Sequence, residues 1–215
     1  MALRVAVLCS GRGTNLEALL AARAAGDLDL DVALVLVNKE GVGAIDIARA
    51  HGVPLAIVPS KGAGRADHES RVVERLDEVA VDLVVLAGYM RVLTPGFIQR
   101  YQGRLINIHP SLLPAFPGVD APTQAWQAGV RIAGCTTHFV TEEVDGGPII
   151  AQAAVALPPG LEPREAADRI LAAEHRLYVH TLRLLNAGQV SWQRDQVIIA
   201  PEARDHLALF VEVDA

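Results

Sequence analysis

Lysine is nearly missing from this chain: of 19 basic residues among 215, only Lys39 and Lys61 are lysines, and 25 acidic residues leave a formal charge of −6. That balance excludes broad electrostatic binding to nucleic acid or an anionic membrane, yet permits one anionic small molecule at a local site. Cysteine is as sparse. Cys9 and Cys135 are far apart in the chain, which suits neither a zinc-ligand cluster nor a disulfide framework and reads as two reduced thiols packed as small apolar residues in a cytoplasm. No apolar run approaches the ~18 residues of a membrane-spanning helix. Val5 to Cys9, behind Arg4, is too short for a signal-peptide core, and large Leu8 before Cys9 argues against a lipoprotein site. A Gly-x-Ser-x-Gly nucleophile elbow is missing too, and neither cysteine has a histidine beside it.

What is present is apolar. A hydrophobic fraction of 51% against 20% charged excludes intrinsic disorder, because burial offsets the ordering entropy. The length suits one α/β domain that buries its core without metals or disulfides. No repeat, low-complexity tract or linker divides it, so a single domain over 1–215 is expected.

Val5 to Cys9, closed by Ser-Gly and followed by a helical pattern, reads as a buried parallel strand entering a crossover helix. Val32 to Val37, Pro54 to Val58, Leu83 to Ala87 and Arg104 to His109 read as further strands, with helices over about Val42 to His51 and Asp67 to Val79. This alternation predicts an α/β fold, a mostly parallel twisted sheet with helices on both faces and its ligand crevice beyond the carboxyl ends of the strands. Gly134 to Thr141 and Pro148 to Val155 read as two antiparallel strands, and about Glu165 to Leu185 as a long helix. The last 25 residues show no chemistry.

Four places can carry chemistry. Thr14 and Glu17 have capping-box spacing, which starts a helix at Thr14 and leaves amides free to hold a phosphate, or else simply closes a tight turn. A dinucleotide site fits worse, since Leu16 replaces the third small residue and Asn38-Lys39 replaces the acid after the second strand. Asn107 and His109 alternate on one strand, so both project to one side, where two donors suit an oxygen gaining negative charge in acyl transfer; the structural reading is a turn cap and a packed histidine. Asp145-Gly146-Gly147 is a good turn, and its carboxylate gains interest if it meets His109. His138 reads as a satisfied sheet histidine. Glu174 lies on the apolar stripe of the long helix and needs a partner there, either a substrate amine or hydroxyl or an arginine of the protein.

Ser-Gly-Arg-Gly-Thr-Asn-Leu (10–16), Val-Leu-Ala-Gly-Tyr-Met-Arg-Val-Leu (85–93), Asn-Ile-His-Pro-Ser-Leu-Leu-Pro (107–114) and His-Phe-Val-Thr-Glu-Glu-Val-Asp-Gly-Gly-Pro-Ile-Ile (138–150) together resemble the phosphoribosylglycinamide formyltransferases of purine synthesis, in order and over essentially the whole chain. The Asn-x-His…Asp trio marks the wider formyltransferase group; the early glycine loop and Glu174-His175 narrow it.

The resemblance implies a formyltransferase-type fold and formyl transfer from 10-formyltetrahydrofolate, a co-substrate, to the glycinamide amine, with no metal. It implies His109, Asn107 and Asp145 as the catalytic set. Gly13, Thr14, Asn15 and Glu174 would hold the ribonucleotide; Arg65, Met90, Arg91, Val92, Leu93, Asn107 and the loop Thr141, Glu142, Glu143, Val144 and Asp145 would surround the folate. Its partners would be these small molecules, not nucleic acid or membrane, and the enzyme a cytoplasmic monomer or homodimer. Asp120 and Pro122 stand where family histidines are expected, and Ala121-Pro122 is similar to the methionyl-tRNA formyltransferases. The rivals are formyltetrahydrofolate deformylase, a hydrolase that carries an extra N-terminal regulatory domain whereas here the first strand is expected within five residues of Met1, and a non-enzymatic phosphate-binding module, which leaves the Asn-His-Asp trio unexplained.

Overall fold

The computed structural model describes residues 2–193 and 196–211. By internal contacts the chain divides into two compact units, 1–107 and 108–215.

The first unit is built from β1 (Leu3–Cys9), α1 (Thr14–Ala24), β2 (Leu30–Val37), α2 (Gly43–Ala50), β3 (Leu55–Ile57), α3 (Arg65–Val79), β4 (Leu83–Leu86) and α4 (Pro95–Arg100), with the start of β5 (Leu105–His109). Its strands lie in the order β5-β4-β1-β2-β3, all parallel. Val5 to Cys9 and Val35 to Val37 are almost wholly inaccessible to solvent, as β-branched and leucine-rich strands covered on two faces must be. The chain steps one way from β1 to β3 and then returns past β1 to β4. Because crossovers are right-handed, that reversal sends α3 to the face opposite α1 and α2.

The second unit contains the end of β5, α5 (Ala121–Gln127), β6 (Ile132–Phe139), β7 (Ile149–Ala156), α6 (Pro163–Asn186), β8 (Val190–Gln193), β9 (Gln196–Ile199), a 3-10 turn (Pro201–His206) and β10 (Ala208–Phe210). The antiparallel pair β6–β7 forms as its sequence suggests. Beyond that suggestion, β10 adds to β7 in parallel and β8–β9 form a separate hairpin. Helix α6 turns Ile170, Ala173, Glu174, Leu177 and Tyr178 inward.

Helix α1 starts at Thr14 as the sequence indicates, but it is capped differently. Its N-cap is Gly13, in the left-handed region at φ 83°, and no side chain caps the helix; the Gly13 carbonyl accepts the Glu17 N–H at 2.8 Å. A glycine can take that conformation cheaply, so the turn closes one residue before Thr14 and the Thr14–Glu17 box does not form. A capping box does occur at the start of α6, between Glu162 and Glu165. A Cβ on Gly13 would lie 2.8 Å from Ala44 Cα and 2.9 Å from Ala44 Cβ on α2. Gly13→Val is therefore expected to cost about 2–3 kcal/mol through strain and the α1–α2 clash. A thermal midpoint within one degree of wild type would contradict this packing.

Candidate functional site

Parallel sheets open a crevice where neighbouring strands send their connections in opposite directions. In the first unit that place lies between β1, whose connection runs toward β2, and β4, whose connection runs toward β5. The two loops that leave these carboxyl ends are bonded together: Ser10 N–H donates to the Gly88 carbonyl at 3.1 Å, and Met90 N–H donates to Ser10 Oγ at 2.8 Å. Ser10 is buried, as is Asn15 in the first turn of α1. The first-turn amides of Thr14, Asn15 and Leu16 lie beyond the reach of intrahelical carbonyls, which is the arrangement that receives anionic oxygens.

The stretch Met90 to Leu93 has no regular structure, yet both its ends are fixed. Met90 is tied to Ser10, and the Glu69 carboxylate of α3 accepts from Thr94 N–H at 2.8 Å and from the Thr94 hydroxyl. Between these ties Met90 and Val92 remain 64% and 55% exposed while Leu93 is buried, which leaves an apolar rim on a held backbone. Arg65 opens α3 and is exposed.

Beneath this rim His68 Nε2 meets the Tyr89 hydroxyl at 2.7 Å, both groups buried. Burial, reinforced by the Arg91 and Arg71 charges, pushes the His68 imidazole below its ordinary 6.5. The native state thus resists a proton that the unfolded chain accepts, so stability is full above about pH 6.5 and falls as the pH drops below it. His68→Gln should flatten the fall of the thermal midpoint between about pH 7 and 5. Slopes identical to wild type would show that His68 titrates alike in both states.

The second unit contains an ion pair at the end of β5. His109 is buried; its Nδ1 stands 3.4 Å from Asp145 Oδ2, and its Nε2–H donates to the Phe116 carbonyl at 2.9 Å. A carbonyl oxygen at one ring nitrogen and a carboxylate oxygen near the other hold the imidazole in one orientation. Asp145 takes φ 54° between β6 and β7, and its Oδ2 also accepts the Gly118 N–H at 2.8 Å. His138 Nε2 lies 3.8 Å from the other carboxylate oxygen, while its Nδ1–H donates to the Phe139 carbonyl at 3.0 Å. Burial keeps His138 neutral by lowering its pKa, against the opposing pull of Asp145. The carboxylate charge therefore serves His109. Asn107, half-buried, precedes His109 by two residues on β5 and projects to the same face of that strand.

Thr141 to Val144 form the exposed turn before Asp145, in which Gly146 N–H donates to the Glu143 carbonyl at 3.2 Å. Glu174 is buried on α6, near enough to Cys135 on β6 that its charge helps burial raise that thiol's pKa. Burial alone pushes Cys9 up to about 12, so both free thiols stay protonated. Asp120 and Pro122 begin α5: Asp120 is its N-cap, accepting from the Thr123 hydroxyl at 2.8 Å, and the proline sits in the first turn, where its missing N–H costs nothing. Among the described residues no group of three or more His, Cys, Asp or Glu side chains is placed to hold a metal ion. No helix among them is long and apolar enough to cross a membrane.

Sequence reasoning assigned no role to Ser10, to the Phe116 carbonyl or to His138 beside Asp145. Strand alternation carries a signal for the last: Thr136 and His138 share a face of β6, and β6 leads directly into the Asp145 turn.

The formyl transferase family model matches residues 3–182. The chain is similar to the phosphoribosylglycinamide formyltransferase of Bacillus subtilis, at 40% identity over 183 residues, covering 85% of this chain and 94% of that one. It is also similar to the trifunctional purine biosynthetic protein adenosine-3 of Gallus gallus, at 43% identity over 188 residues, but spans only 19% of that protein's length. The crystal structure of phosphoribosylglycinamide formyltransferase from Anaplasma phagocytophilum matches 99% of this chain with a TM-score of 0.88 and 42% identity. A formyltetrahydrofolate deformylase from Pseudomonas syringae is similar at 29% identity and a TM-score of 0.82, and this chain covers 66% of it.

Proposed function

The chain belongs to the formyl transferase family, and from that premise we propose that it transfers the formyl group of 10-formyltetrahydrofolate to the amine of 5-phosphoribosylglycinamide in purine biosynthesis. The observation that carries this reading is the 40% identity that extends over 94% of the Bacillus subtilis enzyme.

The chemistry asks most at the formyl oxygen. A primary amine with a pKa near 8 is already partly neutral at pH 7 and needs little activation, whereas attack turns the carbonyl oxygen into an oxyanion. Asn107 and the imidazolium of His109 supply donors to it. In the resting structure the His109 Nε2–H is held by a neutral carbonyl, that of Phe116; an oxyanion is the stronger acceptor and takes the proton's hydrogen bond over. Asp145 keeps the ring charged and oriented and helps to move the proton that the amine loses.

Gly13, Thr14 and Asn15 take the ribonucleotide phosphate, supported by the first-turn amides of α1, and Glu174 contacts the ribonucleotide. Arg65, Met90, Arg91, Val92 and Leu93, with Asn107 and Thr141, Glu142, Glu143, Val144 and Asp145, bind the folate. The exposed Met90 and Val92 on a fixed backbone favour contact with a flat apolar ring. The protonated buried thiols suit the cytoplasm, and the enzyme acts there as a monomer or homodimer without a metal.

The deciding experiment follows 10-formyltetrahydrofolate with and without phosphoribosylglycinamide. Consumption should be slow alone and fast with the acceptor, yielding formylated acceptor in equal amount. Formate released at one rate in both mixtures would establish the deformylase reaction instead.

A further inference from the structure

Thr136 on β6 and Gln152 on β7 stand directly opposite one another, and neither has a part in the chemistry above. Their side chains converge on the chain that leaves β5. Thr136 Oγ1 donates to the Ser111 carbonyl at 2.7 Å and accepts from Leu113 N–H at 3.0 Å and from Gln152 Nε2 at 3.0 Å. The same Gln152 Nε2 donates to the Leu113 carbonyl at 2.9 Å. Thr136 is fully buried, and a hydroxyl offers one donor and two acceptor positions, so this one is saturated. Three backbone groups just beyond His109 are thus bolted to two neighbouring strands.

The segment held in this way returns to grip the ion pair. Five residues after Ser111 the Phe116 carbonyl takes the His109 Nε2–H, and Gly118 N–H then reaches Asp145 Oδ2. The anchor and the grip lie on one loop of nine residues, 110–118. A displacement at Leu113 therefore passes to both partners of His109, the carbonyl and the carboxylate.

We propose that Gln152, together with Thr136, is a positioning residue for His109 and Asp145, acting through the loop 110–118. The proposal rests on the reading of those two residues as catalytic. Removing the Gln152 donors strands the Leu113 carbonyl and frees the loop to shift, and a misplacement of about 1 Å at a reacting group can cost ~10²-fold in rate.

Gln152→Met keeps the side-chain length and removes both donors. Its kcat is expected to fall about 10-fold or more while KM for both substrates stays near wild type. In a His109→Ala background the same change should have no further effect on kcat, because the group that it positions is gone. Thr136→Val should repeat this pattern and Thr136→Ser should restore wild-type kcat; that pair decides the matter if Gln152→Met does not fold. Unchanged kcat in Gln152→Met, or an equal fractional loss with and without His109, would overturn the proposal. Wild-type turnover in His109→Ala would instead sink the catalytic reading, and the positioning role with it.

Discussion

His109→Ala is expected to lower turnover by ~10²–10³-fold, the usual cost of one oxyanion donor, with little change in KM for either substrate. The imidazole is held at both ends, by Phe116 and by Asp145, before any substrate arrives. Its orientation is thus part of the folded protein and costs nothing at the moment of reaction. The fold should survive, because β5 is fixed through its backbone: Val84, Val85 and Leu86 of β4 pair with Leu105, Ile106 and Asn107. Asn107→Ala should produce a loss of the same order, and stopped-flow single turnovers would separate the chemical step from product release. Turnover within threefold of wild type in folded His109→Ala would remove this histidine from the mechanism.

Gly147→Ala should be among the most disruptive single-methyl changes. A Cβ at this position would fall inside the van der Waals envelope of the Phe139 carbonyl oxygen, with Thr141 Cγ2 at 3.3 Å behind it. The contact is with backbone that cannot rotate away. Phe139 N–H donates to the Pro148 carbonyl at 3.0 Å, so relieving the clash means parting β6 from β7 where the Asp145 turn is anchored. About 3–5 kcal/mol of stability should go, on the scale of backbone and packing disruptions. For a chain of this size that corresponds to a fall of roughly 6–20 °C in thermal midpoint. Activity should fall as well, because the Asp145 carboxylate moves with its turn. A midpoint within two degrees of wild type would show that the strands part without penalty.

Burial and its local signatures made much of this legible in the sequence. The strands β1, β2, β4 and β5 announce themselves as short apolar runs closed by glycine or polar residues, and α6 by its stripe with Glu174 inside. The His109–Asp145 approach was suggested by residue type and is seen at 3.4 Å. What escaped depends on distant partners. β10 is three residues long with Phe210 85% exposed, and only pairing with β7 makes it a strand. The Thr14–Glu17 spacing marks where α1 starts but not how it is capped, because the left-handed turn at Gly13, favoured by glycine and packed on Ala44, takes the N-cap position. Helix α4 is only six residues long, so its apolar periodicity is faint and its one local sign is the opening Thr94-Pro95, where Thr94 Oγ1 accepts from Phe97 N–H at 3.3 Å. The Thr136 and Gln152 anchors had no local signal, since nothing in their neighbourhood names Ser111 or Leu113.

The family match stops at residue 182, but the folded unit does not. In the hairpin beyond that point, Trp192 meets Phe139 edge-on with ring centroids 5.1 Å apart, a geometry worth about 0.5–1.5 kcal/mol beyond the area it buries. Phe139 is the residue whose carbonyl fixes the His138 ring and whose N–H closes the strand pair ahead of Asp145. A boundary drawn where that match ends would thus cut through an aromatic clasp, stripping cover from the strand that leads into the Asp145 turn. Here the reach of the family model and the reach of the folded unit are different lengths of the same chain.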